Sequence, residues 1–195
     1  MTAYVALLRG VNNLGSGKLP MTELKAMCEK AGFKSVRTYI ASGNVVFKSG
    51  KSEARVKATL EAALASYSGK PVAVKVRTAS EMAEVLARNP FPKMPGSFTV
   101  AFFLDEPPPA DALQKVTNKK AEQLRLGLRE IYAYYADGFA ESRLNIPAAK
   151  NGTARNMNTI AKLVEMAAEL MRIFPEQSRG KKATAALRLH SSSRS

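Results

Sequence analysis

Tryptophan is absent from the sequence, and cysteine and histidine each occur once. A single thiol forms no internal disulfide, so a reducing, cytoplasmic setting is expected. The lone imidazole, His190, stands near the C-terminus, which removes histidine-based triads and His/Cys zinc sites from the body of the chain. No metal and no cofactor is expected. Long apolar runs are missing too. Nothing approaches the ~20 residues of a membrane span, and the opening MTAYVALLRG lacks a basic segment ahead of its short apolar stretch. The expectation is a protein that is neither secreted nor membrane-bound. Acid is the other shortage, with 16 Asp and Glu facing 30 Lys and Arg for a net charge of +14. Five of those bases lie in 178–195 without an acid, which leaves 25 against 16, or +9, for the rest. Charge of this size speaks to partners and solubility and does not specify a fold.

What is present is enough for a core, because a chain of 195 residues with 46% hydrophobic content buries roughly 70% of its unfolded surface. Tyr4–Leu8 reads as a strand that runs through Arg9-Gly10 into a polar loop, Asn12–Lys18. Pro20 opens a helix whose apolar residues Met21, Leu24, Met27, Cys28 and Ala31 recur every three or four positions before Gly32. Cys28 falls on its buried stripe, where a thiol is inert. Val36–Ile40 and Val45–Lys48 read as strands around the turn Ala41-Ser42-Gly43-Asn44. Ser52 caps a second helix carrying Val56, Leu60, Ala63, Leu64 and Tyr67 as far as Gly69. Val72, Val74 and Val76, alternating with Ala73, Lys75 and Arg77, predict a fourth strand. The order β-α-β-β-α-β is ferredoxin-like. It sets strands 1 and 3 side by side and antiparallel, and so gathers Arg9, Gly10 and Asn12 with Ser42, Gly43 and Asn44 at one end of a sheet.

Thr78 and Glu81 form a capping box for a helix bearing Met82, Val85 and Leu86, which Asn89-Pro90 terminates. Phe98–Leu104 is apolar on both alternations and reads as a buried strand. Pro107-Pro108-Pro109 leads into one or two helical segments up to about Leu126, and Leu128–Ala136 and Phe139–Leu144 flank Asp137-Gly138 as a hairpin. A last helix spans about Thr153–Ile173, with Met157, Ile160, Ala161, Val164, Ala168 and Met171 toward the core and Arg155, Thr159 and Lys162 away from it. This β-α-β-β-α half repeats the topology of the first without its last strand, and no sequence repeat accompanies it. The fold class is therefore α+β with mainly antiparallel sheets. A ferredoxin-like subdomain at 1–95 precedes a related α+β subdomain at 96–177, and 178–195 has the composition of a disordered basic tail. Such a tail either holds phosphate backbones by charge or simply aids solubility.

Two segments carry candidate chemistry. The loop Gly10–Lys18 resembles a phosphate-binding P-loop but fails its pattern: Asn12 stands where the first Gly belongs, and Leu19-Pro20 follows where a Ser or Thr should be. The weaker reading is an anion held by backbone amides, Lys18 and a helix N-terminus. The second segment is Gly152–Thr159, where Arg155, Asn156, Asn158 and Thr159 open the last helix. Asn is a mediocre helix former, so these residues act either as caps and surface polarity or as an anion site at the positive helix end.

Several of these runs are familiar together. Tyr4-Val-Ala-Leu-Leu-Arg-Gly-Val-Asn12, Leu19-Pro-Met21 with Glu23-Leu24, Arg37-Thr-Tyr39 and Ser42-Gly-Asn-Val-Val-Phe47 resemble the DUF1697 family of bacterial proteins. Asn89-Pro-Phe91, Ala101–Leu104 and Thr153-Ala-Arg-Asn-Met-Asn-Thr159 are similar to its pattern as well, so the resemblance spans residues 3 to about 172. It implies a two-part α+β fold and no particular reaction. Family members often carry Val-Gly-Gly where Asn13-Leu14-Gly15 stands here, and Trp where this chain has Met157. Both departures flank the candidate polar site.

The resulting expectation is one donor-rich cluster of Arg9, Asn12, Lys18, Ser42, Asn44, Arg155, Asn156, Asn158 and Thr159, with Arg9 and Arg155 clamping an anion. It contains no carboxylate or imidazole, which suits binding better than acid–base catalysis. The partner would be nucleic acid or a small phosphate-containing molecule. The alternatives are an enzyme acting on a small phosphorylated or carboxylated substrate, and a purely structural cluster that pins the two halves together.

Overall fold

The computed structural model describes residues 1–12 and 18–172. The P-loop-like stretch at 13–17 and the basic tail at 178–195 lie outside the described residues.

β1 (Thr2–Leu8) is apolar at every position after Thr2 because both of its faces are covered. It pairs antiparallel with β3 (Asn44–Ser49) on one side and β4 (Val74–Thr78) on the other, and β2 (Lys34–Tyr39) borders β3, giving the order β2-β3-β1-β4. Tyr4, Ala6 and Leu8 turn to one face, where α1 (Met21–Lys30) supplies Leu24 and Cys28 and α2 (Glu53–Ser68) supplies Val56, Leu60 and Leu64. Ala3, Val5 and Leu7 turn to the other face. Local signals set these helices well: Ser52 accepts the Arg55 N–H to cap α2, and α3 (Ala79–Ala87) opens on the Thr78–Glu81 capping box. Desolvation in the α1 stripe, with Glu29 adding to it, pushes the Cys28 thiol up to about 12, so no reactive thiolate forms there.

A second antiparallel sheet holds β5 (Thr99–Phe103), β6 (Gln123–Leu126), β7 (Glu130–Tyr134) and β8 (Thr153–Asn156) in the order β6-β7-β5-β8. Three expectations change here. The residues after Pro107–Pro109 form one short 3-10 turn, Ala112–Lys115, and then strand β6 instead of helices. The hairpin turns at Gly127–Arg129, where Gly127 N donates to Glu130 O at 2.7 Å, and not at Asp137-Gly138, which is an isolated turn beyond β7. Residues 153–156 are not helical: they pair with β5 from Phe103↔Thr153 to Val100↔Asn156. The last helix, α4, is accordingly Met157–Arg172, and the second half gains the fourth strand it was expected to lack.

α3 and α4 lie between the two sheets. Ala3, Val5, Leu7 and Val46 from the first sheet share one cluster with Ala101, Phe103 and Tyr132 from the second and with Met82, Val85, Ile160 and Leu163 from the helices. A helix enclosed in this way buries a wide arc. That of α4 centres on Ile160, Leu163 and Ala167 and takes in Thr159, while the expected core residues Ala161 and Met171 are exposed. The far face of the second sheet has a thinner cover, with Ala112 and Ile146 from connecting segments packed on Val100, Leu124 and Ile131.

Candidate functional site

The register Leu7↔Asn44 brings the end of β1 and the start of β3 together. Gly43 has a positive φ of 79°, and a Cβ there would stand 2.4 Å from Val11 Cγ2 and 2.9 Å from Leu8 Cβ, so only glycine permits this close turn. Asn44 is fully buried and donates through Nδ2 to Tyr39 O at 2.9 Å and Ser42 Oγ at 3.1 Å. Its Oδ1 accepts from Arg155 Nε at 2.5 Å.

Arg155 reaches this corner from β8 on the other sheet. Nη1 donates to Thr153 Oγ1 at 3.0 Å and Ala154 O at 2.7 Å. Nη2 donates to Leu8 O and Ser42 O, both at 2.9 Å, and to Gly43 O at 3.3 Å. All five N–H groups of the guanidinium therefore point at protein acceptors. Those acceptors are neutral, and desolvation alone draws the Arg155 pKa down to about 10, which still leaves the group charged at neutral pH. The expected anion clamp has its donors committed to the protein, and chemically the arrangement is a brace.

The other expected residues disperse around this brace. Asn12, at φ 57°, brackets Leu19 by accepting its N–H at 2.6 Å and donating to its carbonyl at 2.9 Å, and it also donates to Ala41 O at 2.7 Å. Arg9 is exposed and donates to Lys150 O at 2.5 Å. Asn156 precedes α4 and accepts the Thr159 N–H at 2.9 Å, while the Asn158 side chain lies where a Cβ on Gly96 would sit. Lys18 borders a separate cleft.

A second brace went unnoticed in the sequence. Lys75 and Arg77, which alternate with valine along β4, are only 3% and 1% exposed. Arg77 donates from Nε at 3.2 Å and Nη2 at 3.1 Å to Glu130 Oε1, from Nη2 to Leu104 O at 2.7 Å and Arg129 O at 3.1 Å, and from Nη1 to Val76 O at 2.8 Å. Desolvation first, then the charge of Arg129, lowers its pKa, and Glu130 opposes the shift. Lys75 meets Asp105, which also pairs with Lys57 at 2.7 Å. The two arginines are positional counterparts. Val5↔Arg77 in the first sheet corresponds to Ala101↔Arg155 in the second. Leu8 N donates to Gly43 O at 2.8 Å, and Leu104 N to Arg129 O at 2.9 Å. The sequence signal available was an arginine followed by an N-cap residue and a helix: Arg77-Thr78 before α3 and Arg155-Asn156 before α4.

A cleft of about 420 Å³ opens beyond the end of β1. Val11 and Leu19 form one wall, and Leu64, Tyr67 and Ser68 at the C-terminal end of α2 form the other with Val72. Gly10, Lys18 and Lys70 complete the lining, which among the described residues includes no carboxylate. Neither lysine has an ion-pair partner among the described residues.

Residues 1–132 match the family model described as a protein of unknown function, DUF1697. The chain belongs to this family. The DUF1697 match includes the cleft and Arg77 with Glu130, and it ends before β8 and Arg155. The structure is similar to that of "conserved bacterial protein SP0830" from Streptococcus pneumoniae, with a TM-score of 0.69 over 85% of this chain and 98% of that one. At 23% identity this likeness shows the fold of the DUF1697 protein alone. Among curated proteins none matches the chain, and among the described residues no helix is long and apolar enough to cross a membrane.

Proposed function

We propose that this DUF1697 protein binds a small anionic molecule in the cleft beyond β1, and that the Arg155 cluster is the frame that holds this end of the sheet in shape. The observation that carries the proposal is that Lys18 and Lys70, both without an ion-pair partner among the described residues, line one cleft that has no carboxylate among its described lining residues. The volume of about 420 Å³ falls within the range of small-molecule sites, and the lysines border a largely apolar lining. Within the same reading, the first sheet with its covering helices is a ferredoxin-like unit that ends near residue 95, and the second sheet is its reduced counterpart. A concave site of this size suits a small molecule better than the open basic face a nucleic-acid duplex requires.

Calorimetric titration with inorganic phosphate and citrate tests the proposal. Binding by the native chain, weakened about tenfold or more when Lys18 and Lys70 are both replaced by Ala, is the expected result. Oligonucleotide binding that ignores these substitutions and falls steeply with salt would instead assign the affinity to diffuse surface charge.

A further inference from the structure

The chemistry of the cleft goes beyond a bare anion, and we infer that its ligand is a nucleoside monophosphate, with the base against Tyr67 and the phosphate between Lys18 and Lys70. The inference rests on the anion-binding reading above. An inorganic anion would satisfy the lysines and leave most of the cleft empty, including the apolar surface of Val11, Leu19, Leu64 and Val72. A ligand that fills the space therefore needs an apolar body as well as a charge. Tyr67 indicates which kind of body. The residue is 47% exposed in the wall of the cleft, three residues from Leu64 and three from Lys70, and its side chain has no ring or hydrogen-bond partner among the described residues. An aromatic ring left open in this way offers a stacking face, and stacking on aromatic side chains accepts any base because every base has a π-face. Ser68 does not compete as a specificity group. Its single hydroxyl proton is shared between Leu64 O at 2.9 Å and Lys70 O at 2.8 Å, which ties down the turn that carries Lys70. Gly10 lines the cleft with no side chain, and among the described residues a Cβ built there meets nothing within 4 Å. Two lysines match the charge of about −1.5 to −2 on a phosphate monoester.

Calorimetry with AMP, UMP, ribose 5-phosphate and inorganic phosphate, on the full chain and on Tyr67→Ala, Tyr67→Phe and Lys70→Ala, tests this assignment. The expected result is that both nucleotides bind about tenfold or more tighter than ribose 5-phosphate. Tyr67→Ala should erase that advantage without changing ribose 5-phosphate affinity, Tyr67→Phe should preserve it, and Lys70→Ala should weaken every phosphate ligand. Tyr67 and Lys70 are exposed, so these variants test binding and not folding. If ribose 5-phosphate binds as tightly as the nucleotides, or if Tyr67→Ala leaves the ratio unchanged, the nucleotide assignment fails while the anion reading stands. If none of the four binds, both fail.

Discussion

Arg155 and Arg77 meet the same problem, a guanidinium taken out of water, with different partners. Arg77 has the buried carboxylate of Glu130. Arg155 has only neutral oxygens, so its charge is stabilised by hydrogen bonds alone, and the fall of its pKa to about 10 records the desolvation those bonds must offset. Replacing Arg155 by Ala strands the Leu8, Ser42 and Gly43 carbonyls and Asn44 Oδ1, and a loss of about 3 kcal/mol or more in urea unfolding is expected. Lys at this position has three donors instead of five and should recover only part of that loss. Glu81 gives a pH-dependent counterpart. Burial raises its pKa, but the bonds from the Thr78 N–H and hydroxyl, together with the charges of Arg129 and Arg77, outweigh burial and hold it below the usual carboxylate range. A depressed folded-state pKa contributes stability above the unfolded value and loses it as pH falls through the folded one. The urea midpoint should therefore drop between about pH 6 and about pH 3, and Glu81→Gln should show a smaller drop.

At the start of α4, Asn156 accepts the Thr159 N–H, so Asn156→Ala is expected to cost about 1 kcal/mol in urea unfolding while leaving the far-UV CD spectrum of the native state nearly unchanged. The element just before it shows where sequence legibility stops. α1 is readable from Pro20 and its 3.6-residue period, and α2 and α3 from a side-chain cap as well, because these are local properties, and Thr78 with Glu81 announces its helix within four residues. β8 was not readable: Thr-Ala-Arg-Asn contains no β-rich run, and it becomes a strand only because β5, some fifty residues earlier in sequence, offers it a free edge. Asp137-Gly138 misled for the complementary reason. It is a sound turn signal, but the register Leu124↔Ala133 had already placed the hairpin at Gly127–Arg129. The candidate site divides in the same way. Topology correctly gathered Ser42 and Asn44 with the end of β1, and Arg155 does join them, but residue types could not reveal that its donors are used up by carbonyls. Tyr67 and Lys70 were invisible as site residues because the cleft arises from the approach of α2 to the segment after β1.

For the whole molecule, the crossed braces and the shared core lead to one expectation. Each sheet sends an arginine from its fourth strand into the corner between the first and third strands of the other, so the two halves satisfy each other's buried carbonyls. The same two sheets also enclose α3 and α4, and the inner residues Val5, Leu7 and Val46 have α4 as their cover. Residues 1–95 on their own would carry α1 and α2 on one face of the first sheet but would lose α4 and the second sheet from the other. Arg77 would then be left without Glu130, Leu104 O and Arg129 O. Chain topology would permit two independent domains, but the burial pattern argues for one cooperative unit. Urea unfolding of the full chain should give a single transition, with superimposable curves from far-UV CD and from tyrosine fluorescence, the available emission in a chain without tryptophan. The 1–95 fragment should show poorly dispersed amide NMR signals. A fragment with native-like dispersion, or two resolved transitions in the full chain, would mean that the braces join two already stable domains, and the loss expected for Arg155→Ala would then appear in the docking of the halves instead of in their folding.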